Sequence, residues 1–155
     1  METVLRRAHP DDADAVWAVF AAARRAALAY LPALHTAAQE RAYLAGLIAD
    51  GGVTVAVADG QIAGFLALGP ARVEHLYVDP AHWRRGIGTQ LLRSAQAARP
   101  AGLDLWVFQR NVAAIAFYER HGFQVADTTD GSDNDEREPD ALMVWLGCRR
   151  GNDLA

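Results

Sequence analysis

The sequence predicts a single α/β (α+β) domain, with a mixed central sheet of about seven strands and helices on both faces. Three observations predict it. The chain has 155 residues, 52% of them apolar and 22% charged, the size and balance of one soluble unit with a buried core. Short β-rich runs alternate with stretches of helical periodicity along most of its length. The run VTVAVADGQIAGFLAL, residues 53–68, reads as an antiparallel hairpin, which excludes a simple doubly wound fold.

The elements follow in order. Val4 to Ala8 reads as a first strand. Asp11 or Asp12 can cap a helix in which Val16, Val19, Phe20, Ala23 and Ala27 recur at helical spacing. Pro32 breaks the pattern, and Thr36 with Gln39 forms a T-x-x-Q capping box for a second helix to about Asp50, with Leu44, Leu47 and Ile48 inward. In the hairpin Val53, Val55 and Val57 alternate, Asp59-Gly60 turns, and Ile62 to Leu68 returns. Val73 to Val78 is a further strand, ended by Asp79-Pro80. A third helix starts near Gly86 and Gly88 and runs to about Ala98, with Ile87, Leu91, Leu92 and Ala95 on one side. Leu103 to Phe108 is the fifth strand; Asn111 caps a short helix that Gly122 stops. Strands at Phe123 to Ala126 and Ala141 to Leu146 complete the order β-α-α-β-β-β-α-β-α-β-β. The expected division is a domain over residues 1–148 and a loose tail, 149–155.

Bulk properties narrow the partners. The net charge of -4 provides no general field for nucleic acid or an anionic membrane. No apolar run approaches the roughly 20 residues that span a bilayer, and the N-terminus lacks the apolar core of a signal peptide. The one cysteine, Cys148, forms no internal disulfide and is read as structural, which fits a cytoplasmic location. The histidines lack ligand spacing with cysteine or carboxylates, so no metal site is expected. All fifteen basic residues are arginine.

HWRRGIGTQLL, residues 82–92, poses the chemical question. A strand precedes it and a helix follows. The first turn of a helix presents free N–H groups and a positive dipole end, which hold an anion. Glycine at 86 and 88 would let phosphate oxygens reach those groups; Arg84 and Arg85 add charge and Thr89 a hydroxyl. There is no G-K-[ST], and position 91 is leucine, so neither a Walker A loop nor a G-x-G-x-x-G fingerprint is present.

What remains resembles the pyrophosphate loop of the GNAT superfamily, the acyl-CoA-dependent N-acyltransferases, whose motif is Q/R-x-x-G-x-G/A after a strand ending V-x-P. Here the strand ends LYVDP and the loop is WRRGIG, with Trp83 where Gln or Arg is usual. Downstream, NVAAIAFYERHGF, residues 111–123, is similar to the family's N-x-x-A-x-x-x-Y-E-x-x-G-F signature. The resemblance implies a GNAT-type fold and an N-acetyltransferase that carries acetyl from acetyl-CoA to a primary amine of a small molecule. A protein or peptide N-terminus is the alternative acceptor, and a non-catalytic CoA-binding sensor the alternative class. It implies that the backbone of Leu76, Tyr77 and Val78 holds the pantetheine arm. It also implies that Arg84, Arg85, Gly86, Ile87, Gly88 and Thr89 hold the pyrophosphate, with Asn111, Ala114 and Phe117 beside the cofactor. Family members often pair, so a homodimer is a candidate assembly.

Within that frame Tyr118 is the candidate acid for the departing thiolate, against a reading as a core aromatic. Glu74 is the candidate general base, because a charged residue among apolar neighbours needs a reason. His75 points the other way in a regular strand, although a bulge would exchange the two, and water is a third source. Trp106 stands where some relatives carry a glutamate base. On the acceptor side, Tyr30 and His35 in the break between the helices, and Glu136 in the acidic run 129–140, are the candidate substrate-binding residues. That run is either a solvated loop or a lip that attracts a cationic amine.

Overall fold

The computed structural model describes residues 2–148, so the expected tail, 149–155, lies outside the described residues. Among the described residues seven strands and four α-helices occur in the expected order: β1 (Thr3–Arg7), α1 (Ala13–Ala27), α2 (Ala37–Ala49), β2 (Val53–Ala58), β3 (Gln61–Leu68), β4 (Val73–Val78), α3 (Ile87–Ala98), β5 (Leu103–Phe108), α4 (Val112–Arg120), β6 (Gln124–Thr128) and β7 (Asp140–Trp145). No helix among the described residues is long and apolar enough to cross a membrane.

Local chemistry explains most boundaries. Thr36 Oγ1 accepts from the Gln39 N–H at 3.1 Å and Gln39 Oε1 accepts from the Thr36 N–H at 2.9 Å, the reciprocal capping box of α2. Asp59 (φ 56°) and Gly60 (φ 74°) make the two-residue turn of the β2–β3 hairpin, whose positive angles match the strands' right-handed twist. Asp12 precedes α1 but does not cap it with its side chain. Its carboxylate instead pairs with Arg6 at 2.7 Å and accepts from the His9 N–H.

The strands form two antiparallel sheets, β1-β2-β3-β4 and β5-β7-β6, rather than one continuous ladder. They meet at the start of β4 and β5. There Arg72 and Asp104 form a parallel bridge, the Asp104 N–H reaches the Ala71 carbonyl at 3.0 Å, and Arg72 grips Asp104 with Nε at 2.6 Å and Nη2 at 3.2 Å. No ladder joins the rest of the two strands, so their C-terminal halves part.

Helices cover both faces of the four-stranded sheet. On one, Val16, Val19 and Phe20 of α1 and Leu44 and Ile48 of α2 pack on Val53, Val55, Phe65 and Ala67. On the other, Ile87, Leu91, Leu92 and Ala95 of α3 meet Ala56, Ala58 and Leu66, and that core continues to Leu105, Val107 and Met143 of the second sheet. The partly buried Ala114, Ile115, Phe117 and Tyr118 of α4 close the far end.

Candidate active site

The parted edge of β4 is the first feature of the site. The Asp79 N–H bonds the Ala63 carbonyl of β3, so the Val78 carbonyl, across the same peptide unit, points the opposite way. The Trp83 indole N–H reaches it at 2.8 Å. Alternation along the strand puts the Leu76 main chain on the same open edge. Tyr77 is excluded from it: its carbonyl is directed at β3, 3.0 Å from where a Cβ on Gly64 would lie. Of the three residues expected to offer backbone bonds, Leu76 and Val78 present them and Tyr77 does not.

Beyond β4 the chain makes one helical turn at Pro80–His82 and enters α3 through Gly86. Gly86 has φ 78°, in the left-handed region, and open space where a Cβ would sit. Gly88 is different: a Cβ there would make an ordinary 3.4 Å contact with Phe117, so a bare backbone is needed only at Gly86. The N–H groups of Ile87, Gly88 and Thr89 begin the helix without intrahelical acceptors, the first such bond running from Gln90 to the Gly86 carbonyl at 3.0 Å.

Two side chains of the loop are committed elsewhere. Arg85 Nη1 lies 3.3 Å from Asp59 of the hairpin turn. Nδ1 of His121 lies 2.7 Å from the Phe117 carbonyl, which only accepts, so Nδ1 carries the hydrogen. In the neutral ring Nε2 then accepts from the Thr89 hydroxyl at 3.1 Å. Thr89 therefore offers an anion its N–H, not the hydroxyl proton that the motif suggested. Arg84 is exposed, at φ 66°.

α4 forms the opposite wall. Asn111 Oδ1 accepts from the Ala114 N–H at 3.3 Å, so Asn111 caps the helix. Tyr118 packs edge-on against Phe117 and Phe123. Its hydroxyl has no hydrogen-bond partner among the described residues, and burial, with the nearby Tyr77 phenol second, pushes its pKa above the ordinary value of 10. It stays a neutral donor.

The second wall of the reaction space is a cavity of roughly 780 Å³ between α1, α2, the loop joining them, β4 and the β6–β7 loop. Here alternation along β4 puts His75 on the face of Tyr77, toward the cavity. Ala67 pairs with His75 and Leu68 with Val73, so Glu74 is the extra residue of a bulge. His75 lines the cavity, where Tyr43 Oη meets its Nε2 at 2.8 Å and its ring stacks beside Tyr77. Burial, then the charge of Arg24, lowers the His75 pKa to about 4, so the ring is neutral at physiological pH. Glu74 is exposed, and Oε1 lies 3.1 Å from the Cβ position of Gly69. The expected base thus stands outside the cavity, and its neighbour stands inside.

His35 and Glu136 line this cavity as expected. Tyr30 does not: its ring lies under Arg110 at 4.0 Å, and its hydroxyl is shut in without a partner among the described residues. The acidic loop is neither simply solvated nor a continuous lip. Asp130 holds the Ser132 N–H, Asp140 accepts from Thr129 and Asn134, and Glu138 pairs with Arg110. Asp133, Asp135 and Glu136 remain; Asp133 and Glu136 line a second cavity of roughly 500 Å³ beside the exposed Trp106, and Glu136 also lines the large one. The sequence reading missed Arg24, Arg25 and Tyr43, all cavity-lining. Helical periodicity marked only the buried stripe of α1 and α2, and these residues flank it. No group of three or more His, Cys, Asp and Glu that could hold a metal ion occurs among the described residues.

Comparison with known proteins agrees with this geometry. Residues 49–125 match the model of the acetyltransferase (GNAT) domain. The chain is 34% identical over 88 residues to the peptidyl-lysine N-acetyltransferase YiaC of Escherichia coli, covering 56% of this chain and 58% of that one. It is 35% identical over 86 residues to a spermidine N(1)-acetyltransferase of Thermoplasma acidophilum, covering 50% and 53%. The chain thus spans less than two thirds of these relatives. Among solved structures, apo YjaB of Escherichia coli superposes with a TM-score of 0.79 at 23% identity, over 96% of this chain and 100% of that one. The PaiA N-acetyltransferase of Thermoplasma acidophilum, solved with coenzyme A, does so at 0.72 and 20%, over 94% and 99%. Both show the fold.

Proposed function

The chain belongs to the GNAT acetyltransferases, and from that premise we propose that it transfers an acetyl group from acetyl-CoA to the primary amine of a small molecule, by direct attack in a ternary complex. One observation carries the reading. β4 meets β5 only at Arg72–Asp104, which leaves the Leu76 and Val78 main chain on an open edge that runs toward the free N–H groups of α3, while the Tyr118 hydroxyl of α4 has no hydrogen-bond partner among the described residues.

The residues fit acetyl-CoA. The open space over Gly86 and the N–H groups of Ile87, Gly88 and Thr89 would hold the diphosphate, with Arg84 beside them. Leu76 and Val78 would hold the pantetheine amides, and Phe117 and Ala114 the apolar wall. The thioester supplies an activated acyl carbon. In the balanced reaction the amine nitrogen bonds to that carbon, the carbon–sulfur bond breaks, the sulfur gains a proton and the nitrogen loses one.

Tyr118 stabilises the departing thiolate by hydrogen bonding. Its raised pKa makes it a strong holder of its own proton, so donation of a hydrogen bond is its main contribution. His75 orients the incoming amine. With its pKa near 4 it cannot strip an alkylammonium of pKa near 10, a gap of about 8 kcal/mol. The amine therefore loses its proton to water before attack, and His75 accepts a hydrogen bond from the neutral nitrogen.

The test is incubation with acetyl-CoA and a panel of amines while free thiol is followed. Thiol release that depends on a small amine supports the reading. Release only with peptides moves the acceptor to a protein or peptide amine. Calorimetric binding of CoA with no thiol release on any amine assigns a sensor instead.

A further inference from the structure

The larger cavity holds a charge that the proposed reaction leaves unused. Arg24 and Arg25, in the last turn of α1, both line it. The ion pairs among the described residues engage Arg6, Arg41, Arg72, Arg85 and Arg110, and none reaches Arg24 or Arg25. The Arg24 guanidinium donates one long bond, Nη1 to Tyr77 Oη at 3.4 Å, and lies 5.2 Å from the centre of the Phe20 ring. A guanidinium has five donors in a planar fork, a shape matched to a carboxylate. Cations in the last turn favour any helix through its dipole, which accounts for the exposed Arg25. It does not account for Arg24, which is turned over Phe20 and sits close enough to His75 to disfavour the ring's protonation.

We propose that Arg24 anchors a carboxylate of the acceptor, so that the acceptor is an amino acid with an apolar side chain rather than a polyamine. The proposal rests on the acetyl-transfer reading and specifies its substrate. A carboxylate on Arg24 lies beside the Tyr77 hydroxyl and next to His75. An amine one carbon away then falls within reach of His75, which lines the same cavity. Leu28, Leu31, Pro32 and Leu34 supply an apolar wall for the side chain. Two carboxylates also line the cavity. Glu40 accepts from the Trp17 indole at 3.2 Å, and Glu136, at the β6–β7 loop, attracts the ammonium on entry. A polyamine would set further positive charges against Arg24 and Arg25.

Matched pairs test this: leucine against 3-methylbutylamine and phenylalanine against phenethylamine, each with its aminophosphonate analogue. Thiol release gives kcat/KM, and calorimetry in the presence of CoA gives acceptor binding. The expected result is at least a tenfold preference for the carboxylated member, which falls toward onefold in Arg24→Gln and is partly restored in Arg24→Lys. Equal or better use of the decarboxylated amines by the wild-type protein overturns the proposal, as does a preference that survives Arg24→Gln. A phosphonate that outcompetes the carboxylate replaces the amino acid with a phosphorylated amine. If leucine binds selectively but no amine yields thiol, the carboxylate site stands and the transferase reading falls.

Discussion

Acidification should unfold this protein partly through a single half-buried ring. His75 has a pKa of about 4 in the folded chain, against an ordinary value of 6.5. The folded state therefore resists the proton that the unfolded chain accepts. Stability from this group is complete above pH 6.5 and falls as the pH drops from there toward 4, where the native ring protonates as well. The full window is worth about 3 kcal/mol, and the part between pH 8 and pH 5 about 2 kcal/mol. Arg24, Tyr43, Tyr77 and Phe20 surround the ring, and Glu74 lies on its flank; of these only Arg24 carries a nearby positive charge that adds to the burial. Urea denaturation at pH 8 and pH 5, for the wild-type protein and for His75→Gln, isolates the contribution because the other four histidines cancel. The wild-type protein should lose about 2 kcal/mol more than the variant over that interval. Parallel losses, within about 0.5 kcal/mol, would refute the claim that burial holds this imidazole neutral.

Other outcomes follow from the same geometry. Tyr118→Phe should lower kcat at least tenfold and leave CoA affinity within a factor of about three; an unchanged kcat removes the hydroxyl from the reaction. Gly86→Val, forced to φ 78° and into the open phosphate space, should abolish CoA binding, whereas Gly88→Ala should retain it within about threefold, a contrast readable by calorimetry. Thr89→Val should cost about 1 kcal/mol of stability through the lost His121 bond while CoA affinity stays within about threefold, since the N–H of residue 89 remains. The acidic limb of the pH–rate profile should climb to the pKa of the acceptor amine, and an inflection near 6.5 would contradict a neutral His75.

Much of this was legible along the chain, because neighbouring residues settle it. A capping box, an Asp-Gly turn and a glycine that ends α4 at φ 89° are set by hydrogen bonds and backbone angles within four residues, and all three occur where the sequence placed them. The spacing of Ile87, Leu91, Leu92 and Ala95 likewise identified the buried stripe of α3. The loop from LYVDP through Gly86, and Tyr118 one helix later, could be named because their order along the chain carries the family's pattern.

Other features depend on partners far away in sequence, and only the folded chain decided them. Alternation puts His75 on the face of Tyr77, but it is the packing of α1 and α2 that makes that face the cavity wall, and the bulge that sets Glu74 aside exists only in the pairing with β3. The division of seven strands into two sheets hangs on Arg72 meeting Asp104 and on nothing bridging the strands beyond that point. His121 accepts a hydrogen bond from the Thr89 hydroxyl across 32 residues, and Arg24 reaches Tyr77 across 53. Sequence sets what each segment can form; which side chains share a space, and therefore their charge and proton state, is a property of the assembled tertiary contacts.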